Sequence, residues 1–211
     1  MGVVYDGTGN DIITKTQDVL EKEREYAVYI VTHCNNVKFA FKTLFCGNEQ
    51  YIPDGCTAEE YNNIIEGLKV TIAEHDKSKF SDEEFYPYRV KFYPTEAEKK
   101  RMEEDIEYLN KVKNDFEEAW KHHYMFNDHH TKHWLIPEHD NIPAHYTDMP
   151  YDAIIHMICD WCAMSLYFDK DMAAVIKWYK EDADKEKSEM TEKTKSTVED
   201  LLQKIFKVEL K

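Results

Sequence analysis

Four residues set the chemistry open to this chain. His33 lies on the apolar stripe of a long N-terminal helical pattern, between Ile30 and Val37. His75 and Asp76 are adjacent near the C-terminal end of a second helical pattern. Asp160 sits in the otherwise apolar run Met157-Ile158-Cys159-Asp160-Trp161. Burying an ionised carboxylate alone is very costly, so Asp160 needs a partner, and a divalent cation is a good one. Consecutive side chains on a helix point about 100° apart, so a His-Asp pair cannot chelate from one face, but it can flank an ion beside the helix. Two more ligands must then come from helices packed there, and His33 and Asp160 are suited to supply them. Such mixed nitrogen and oxygen ligation fits a divalent ion of Mn, Fe, Co, Ni, Zn or Mg better than a soft thiolate metal. Singly, each residue has an ordinary reading: a hydrogen-bonded core histidine, a chance dipeptide, a capping or salt-bridged aspartate. The order H…HD…D, with each part on a predicted helix, carries the prediction of a metal site.

A second concentration of imidazoles follows. His122, His123, His129, His130 and His133 fall within twelve positions. His123 and Asn127 are one helical turn apart and can face one pocket. These residues could contact a phosphate or ribose, or cap the end of the long helix before them. His122, His133, His139 and His145 read as surface residues. His156 lies one turn before Asp160, on the same face. Cys159 and Cys162 form a CxxC, but inside an apolar helical run with no second CxxC. They read as buried free thiols.

The elements that must position these groups are helical. With 6 Gly and 6 Pro in 211 residues, long stretches carry no turn punctuation. The first helix is predicted from about Asp11 to Phe45, with Tyr26, Ile30, His33, Val37, Ala40, Phe41 and Leu44 on one face. Gly47–Cys56 is a loop. Thr57 with Glu60 is a capping box that opens a second helix reaching about Lys79. Ser81 with Glu84 repeats that signature before a short aromatic segment, Phe85–Tyr93. Thr95 with Glu98 opens one long helix whose inner face includes Met102, Ile106, Leu109, Val112, Phe116, Trp120 and His123. Residues 128–149 are loop-like and are expected to border the pocket. Asp148 and Pro150 start the helix that carries Asp160. The tail, 171–211, is a charged helical extension that could be a lid, a dimer arm or a packed final helix. The reading is therefore all-α, a bundle of five or more helices over 11–170 with a C-terminal extension, 171–211.

Composition limits the partners. The net charge of −15 repels a phosphate backbone, which disfavours polymeric nucleic acid but not a compact phosphorylated ligand paired with a metal. No apolar run approaches the roughly 20 residues that span a bilayer. Met1–Asn10 has neither a basic start nor an apolar core, so no secretory leader is expected. Five cysteines make no even framework. These features predict a cytoplasmic, reducing setting.

The order His33…His75-Asp76…Asp160 resembles the HD superfamily of metal-dependent phosphohydrolases, which are all-α. The stretch His75-Asp76-Lys77-Ser78-Lys79-Phe80 is similar to that superfamily's HDxGK, with Ser78 where Gly is usual. A closer resemblance covers about 26–165. It is to an uncharacterised phage and bacterial family with the pattern H…HDxSK, then AWxxHxxxNxHH with a nearby Trp, then DW. Here these are His33; His75, Asp76, Ser78, Lys79; Ala119, Trp120, His123, Asn127, His129, His130, Trp134; and Asp160, Trp161. That family brings no activity, and its pattern often has an acidic residue where His156 stands. This leaves His156 at most an outer role.

The HD resemblance implies the mechanism. His33, His75, Asp76 and Asp160 would hold a first ion; His123 with His129 or His130 would hold a second. Asp76, or Glu74 beside it, would manage a proton. Lys79 would sit near the phosphate, with His123 and His129 offsetting charge and Asn127 and His130 contacting the substrate. The implied reaction is phosphoester hydrolysis of a small nucleotide or cyclic nucleotide, with aromatics such as Tyr86, Tyr88, Phe92, Tyr93, Trp120 and Trp134 available to stack a base. Two other classes fit the same residues: a nucleotide-binding sensor or phage sponge without turnover, and an HD-type di-iron oxygenase.

Overall fold

The computed structural model describes residues 9–210, with side chains from residue 17 onward. Most of the expectation about a leader in Met1–Asn10 lies outside the described residues. In chain order the helices are α1 Gly9–Leu44, α2 Ala58–Ala73, α3 Phe85–Phe92, α4 Glu96–Glu104, α5 Ile106–Phe126, α6 Tyr151–Asp169, α7 Ala174–Glu181, α8 Asp184–Ser188 and α9 Glu192–Phe206. Among the described residues the strands are β1 Leu135–Ile136 and β2 His145–Tyr146 alone. The protein is all-α. No helix among the described residues is long and apolar enough to cross a membrane.

Two compact units form. One takes the described residues up to Val31 together with Lys77–His123; the other takes Thr32–Asp76 with the chain from Tyr124 onward. The first unit is built on aromatic packing. Tyr26 meets Phe85 at 5.2 Å and Tyr93 at 5.5 Å between ring centroids, and Tyr88 meets Phe116 edge-on at 5.1 Å. Tyr26 and Tyr88 are buried, so these rings are core. Beside them, Glu98 completes the capping box with Thr95 and also receives a bidentate fork from Arg89, at 2.5 and 2.8 Å.

The long helix predicted from Thr95 is two helices. Asp105, at φ −125° and ψ 99°, ends α4. Its Oδ1 then accepts the backbone N–H groups of Glu107 and Tyr108 at 3.1 and 3.0 Å. A short acidic side chain that bonds to nearby N–H groups favours a helix start over a helix interior. The break shifts the helical register, leaving Ile106 66% exposed rather than on the inner face. Val112, Ala119 and His123 are the buried positions of α5.

In the second unit α6 is the centre. Seven consecutive residues, Ala153–Cys159, are buried, which requires neighbours on every side. α2, α7 and α9 supply them. Tyr61, Ile65, Leu68 and Ile72 of α2 join Val175 and Tyr179 of α7 and Val198, Leu201 and Leu202 of α9 in one core. The tail after residue 170 is thus packed helix. Val37, Ala40 and Phe41 bring the end of α1 into the same core, as the stripe predicted; Phe45, just past α1, is buried there, while Leu44 packs against it half-buried. The segment predicted as loop contains a hairpin pairing Leu135 with Tyr146 and Ile136 with His145. Beyond it, the bridge between His139 and Ile142 closes on Asp140 and Asn141, both at positive φ. That conformation suits Asp and Asn and matches the right-handed twist of the strands.

Candidate metal centre

The second unit contains His33, His75, Asp76, His129, His130, His156 and Asp160. The first of these groups to account for is the His-Asp pair. α2 ends at Ala73, earlier than the predicted Lys79, with Glu74 as its C-cap. His75 N–H still reaches the Ile72 carbonyl at 3.3 Å, and Asp76 then turns into the left-handed region at φ 55°. That conformation costs most residues about 1–2 kcal/mol and costs Asp less. Leaving the helix removes the 100° divergence between neighbouring side chains, and His75 Nε2 and Asp76 Oδ2 come within 3.4 Å. The Cys34 thiol on α1 donates to the His75 carbonyl at 3.3 Å and ties down this turn.

Four donor atoms converge there. His33 Nε2 lies 2.8 Å from Asp160 Oδ1, 3.0 Å from His75 Nε2 and 3.7 Å from Asp76 Oδ2. His75 Nε2 lies 3.7 Å from Asp160 Oδ1. An ion with bonds of about 2.1 Å sets its neighbouring ligands about 3.0 Å apart in an octahedron and about 3.4 Å apart in a tetrahedron. The observed separations lie around those two edges. Two neutral imidazole nitrogens and two carboxylate oxygens also balance a divalent charge. The residues present therefore fit a divalent ion: His33, His75 and Asp160 offer donor atoms within 4.8 Å of one another and could hold one, with Asp76 close to both histidines.

The cluster is nearly dry. The side chains of His33, His75 and Asp76 are at most 2% exposed, and that of Asp160 is 14% exposed. Burial alone would raise the Asp160 pKa. The hydrogen bond and charge of His33, aided by His75 and His129, instead hold the carboxyl well below its usual range.

Around these four stand three further imidazoles. His156 Nε2 lies 2.8 Å from His75 Nδ1. Burial, and after it the neighbouring His75, pushes the His156 pKa down to about 4. His129 Nε2 lies 3.7 Å from Asp76 Oδ1, and its ring is 4.3 Å from that of His130. Burial first, then His130, His75 and His156, pushes the His129 pKa well below normal. His75, His129 and His156 offer donor atoms within 4.8 Å of one another. Asn127, half-buried, turns the chain by accepting the His130 N–H at 3.3 Å on its carbonyl.

The remaining predicted residues belong to the first unit. His123 Nδ1 lies 2.8 Å from Glu84 Oε2, and His122 Nδ1 lies 2.7 Å from Glu84 Oε1. Glu84 was expected to close a capping box with Ser81; it stands at the N-cap of α3, but its side chain makes no cap bond there. Its fully buried carboxylate is taken by the two imidazoles. Burial raises the Glu84 pKa, but His123 and His122 more than offset that and hold it low. A neutral His123 that donates from Nδ1 keeps a lone pair on Nε2. Lys79, in the short 3-10 turn Lys77–Phe80, is half-buried with its ammonium 5.7 Å from the Tyr88 ring centroid.

The sequence does not mark two of these groups: Glu84 and Cys34. His156, one turn before Asp160, stands outside the four predicted ligands, as its expected outer role implies. The signal for Glu84 was an acid beside the run Phe85-Tyr86, which a capping motif masked. Nothing in sequence singles out Cys34. Cys159 and Cys162 are buried free thiols, as expected, and burial pushes both pKa values up.

No curated protein and no solved structure matches the chain. A family model does match, over residues 22–204, which is most of the chain. The protein belongs to that family, a family of unknown function designated DUF5662.

Proposed function

We propose that this protein is a divalent-metal-dependent phosphohydrolase acting on a small nucleotide or cyclic nucleotide. The observation that carries the reading is the convergence of His33, His75 and Asp160, with Asp76 close to both histidines, at separations that suit one ion's coordination shell. His33, His75 and Asp160, with Asp76 beside them, would hold the ion and would leave room on it for water and a phosphate oxygen. An ion held there supplies Lewis acidity and a bound water of lowered pKa. His33 and His75 would contribute neutral nitrogen and Asp76 and Asp160 charge; Asp76, or Glu74 beside it, would manage a proton. By the HD resemblance, Lys79 and His123 offset charge on the phosphate, and Asn127 and His130 contact the substrate. The net charge of −15 favours a compact ligand over a nucleic-acid polymer.

The test is a panel of mono-, di-, tri- and cyclic nucleotides with Mn, Co, Ni or Mg, read by chromatography. Metal-dependent phosphate or nucleoside release supports the reading. Tight retention of a nucleotide without product would make the protein a binder. Two bound irons with an optical signature and no phosphate release would make it an oxygenase.

A further inference from the structure

We propose that His156 is a positioning residue for the metal centre: it accepts the Nδ1–H of His75 and so fixes the tautomer in which His75 Nε2 can ligate. The inference rests on the metal reading above and adds a residue to it.

A neutral imidazole carries one proton. His75 Nδ1 and His156 Nε2 are 2.8 Å apart, so one proton lies between them. If it comes from His156, the His75 proton sits on Nε2 and points at His33 Nε2, 3.0 Å away, and His75 cannot bind an ion. If it comes from His75, Nε2 presents a lone pair toward His33, Asp76 and Asp160. The second arrangement alone serves ligation. Ligating histidines commonly have the other ring nitrogen held in this way by an acceptor.

Two further observations point to His156 as that acceptor. Its ring is 2% exposed, and Nδ1 has no hydrogen-bond partner among the described residues. The bond to His75 is thus the one hydrogen bond through which the ring acts. His156 also lies one turn before Asp160 on α6, the most buried helix of its unit. A single helical face then supplies both a ligand and the residue that orients a second ligand.

The direct test needs no variant. In zinc-loaded protein labelled with nitrogen-15 at histidine, long-range proton–nitrogen spectra should show His75 protonated at Nδ1 and metal-bound at Nε2. A proton on His75 Nε2 in the loaded protein would overturn the proposal. The second test is cobalt(II) titration followed by visible absorption, with elemental stoichiometry and circular dichroism as the fold check. His156→Phe should weaken cobalt binding on the order of ten- to hundredfold without changing stoichiometry. His156→Gln, which keeps an acceptor oxygen, should recover most of the loss. Wild-type affinity in His156→Phe, or loss of one whole ion, would overturn the positioning role. Wild-type protein that binds no cobalt or zinc would sink the metal reading itself, a result distinct from either.

Discussion

His33 on α1 and Asp160 on α6 meet at 2.8 Å between Nε2 and Oδ1. Neither helix has a local reason to carry that residue. α1 places His33 on the face that buries Ile30 and Val37, and α6 places Asp160 beside buried Cys159. Each polar group gives up hydration, and part of what replaces it comes from the other and from the His75-Asp76 turn. Ion binding should therefore stabilise the fold rather than merely decorate it. At an ion concentration a hundred times the Kd, the gain is about 2.7 kcal/mol.

The first prediction follows from that linkage. Thermal unfolding with added Mn, Co or Zn should shift upward relative to chelator-treated protein. Asp76→Asn should abolish the shift, because Asn tolerates the left-handed backbone at φ 55° but carries no charge. Asp76→Ala should abolish it too and should lower stability of the metal-free protein by roughly a further 1 kcal/mol, since Ala is strained there. A metal-induced shift that survives both substitutions would contradict the ligand assignment.

Much of this was legible in sequence, and the failures have physical causes. The α1 stripe from Tyr26 to Phe41 and the boxes at Thr57 and Thr95 are local patterns, and they read correctly. That Asp160 needs a partner is also legible, because the cost of burying a carboxylate is independent of fold. The end of α2 did not read correctly, since the turn at Asp76 gains its favour from tertiary contacts of His75 and Asp76 with α1 and α6. The break at Asp105 is not marked in sequence, since Asp is ordinary on an exposed helix face and equally at home as a cap. His156 reads in sequence as holding at most an outer role, since the resembled pattern often has an acid there; which ring it meets depends on tertiary packing.

Asp105 gives a stability prediction. Its carboxylate is the cap of α5, accepting from Glu107 and Tyr108. Asp105→Ala should cost about 1 kcal/mol, and Asp105→Asn much less. Urea denaturation measures both, through the midpoint at unchanged slope. A neutral or stabilising Asp105→Ala would mean that α4 and α5 gain more as one continuous helix than the cap supplies.

The Arg89–Glu98 pair sets a pH dependence. Burial would raise the Glu98 pKa, but the Arg89 fork and the Thr95 N–H outweigh it and hold the carboxyl below its ordinary 4.5. A carboxylate depressed in the folded state stabilises fully above its unfolded value and loses that contribution as pH falls through the folded one. Stability should thus be flat through this group above about pH 5 and should decline below 4.5. Glu98→Gln should remove this part of the decline. It should also cost about 3 kcal/mol near neutrality, because it leaves the buried Arg89 charge without its anion. An acid limb of the stability curve unchanged in Glu98→Gln would show that other carboxylates dominate it.

Lys79 allows rate and stability to be separated. The ammonium sits 5.7 Å from the Tyr88 ring centroid, a contact worth about 0.5–1 kcal/mol where solvent reaches it. Lys79→Ala should therefore shift the unfolding midpoint only slightly, and metal content should not change, because an ammonium is no ligand. Under the proposed hydrolase function, the substitution should lower kcat and kcat/KM together while nucleotide affinity holds. That pattern marks an interaction made mainly in the transition state. A rise in KM with kcat unchanged would instead make Lys79 a ground-state anchor for the phosphate. Unaltered kinetics in a metal-replete Lys79→Ala protein would place the phosphate elsewhere, and would leave the His33, His75, Asp76 and Asp160 centre untouched.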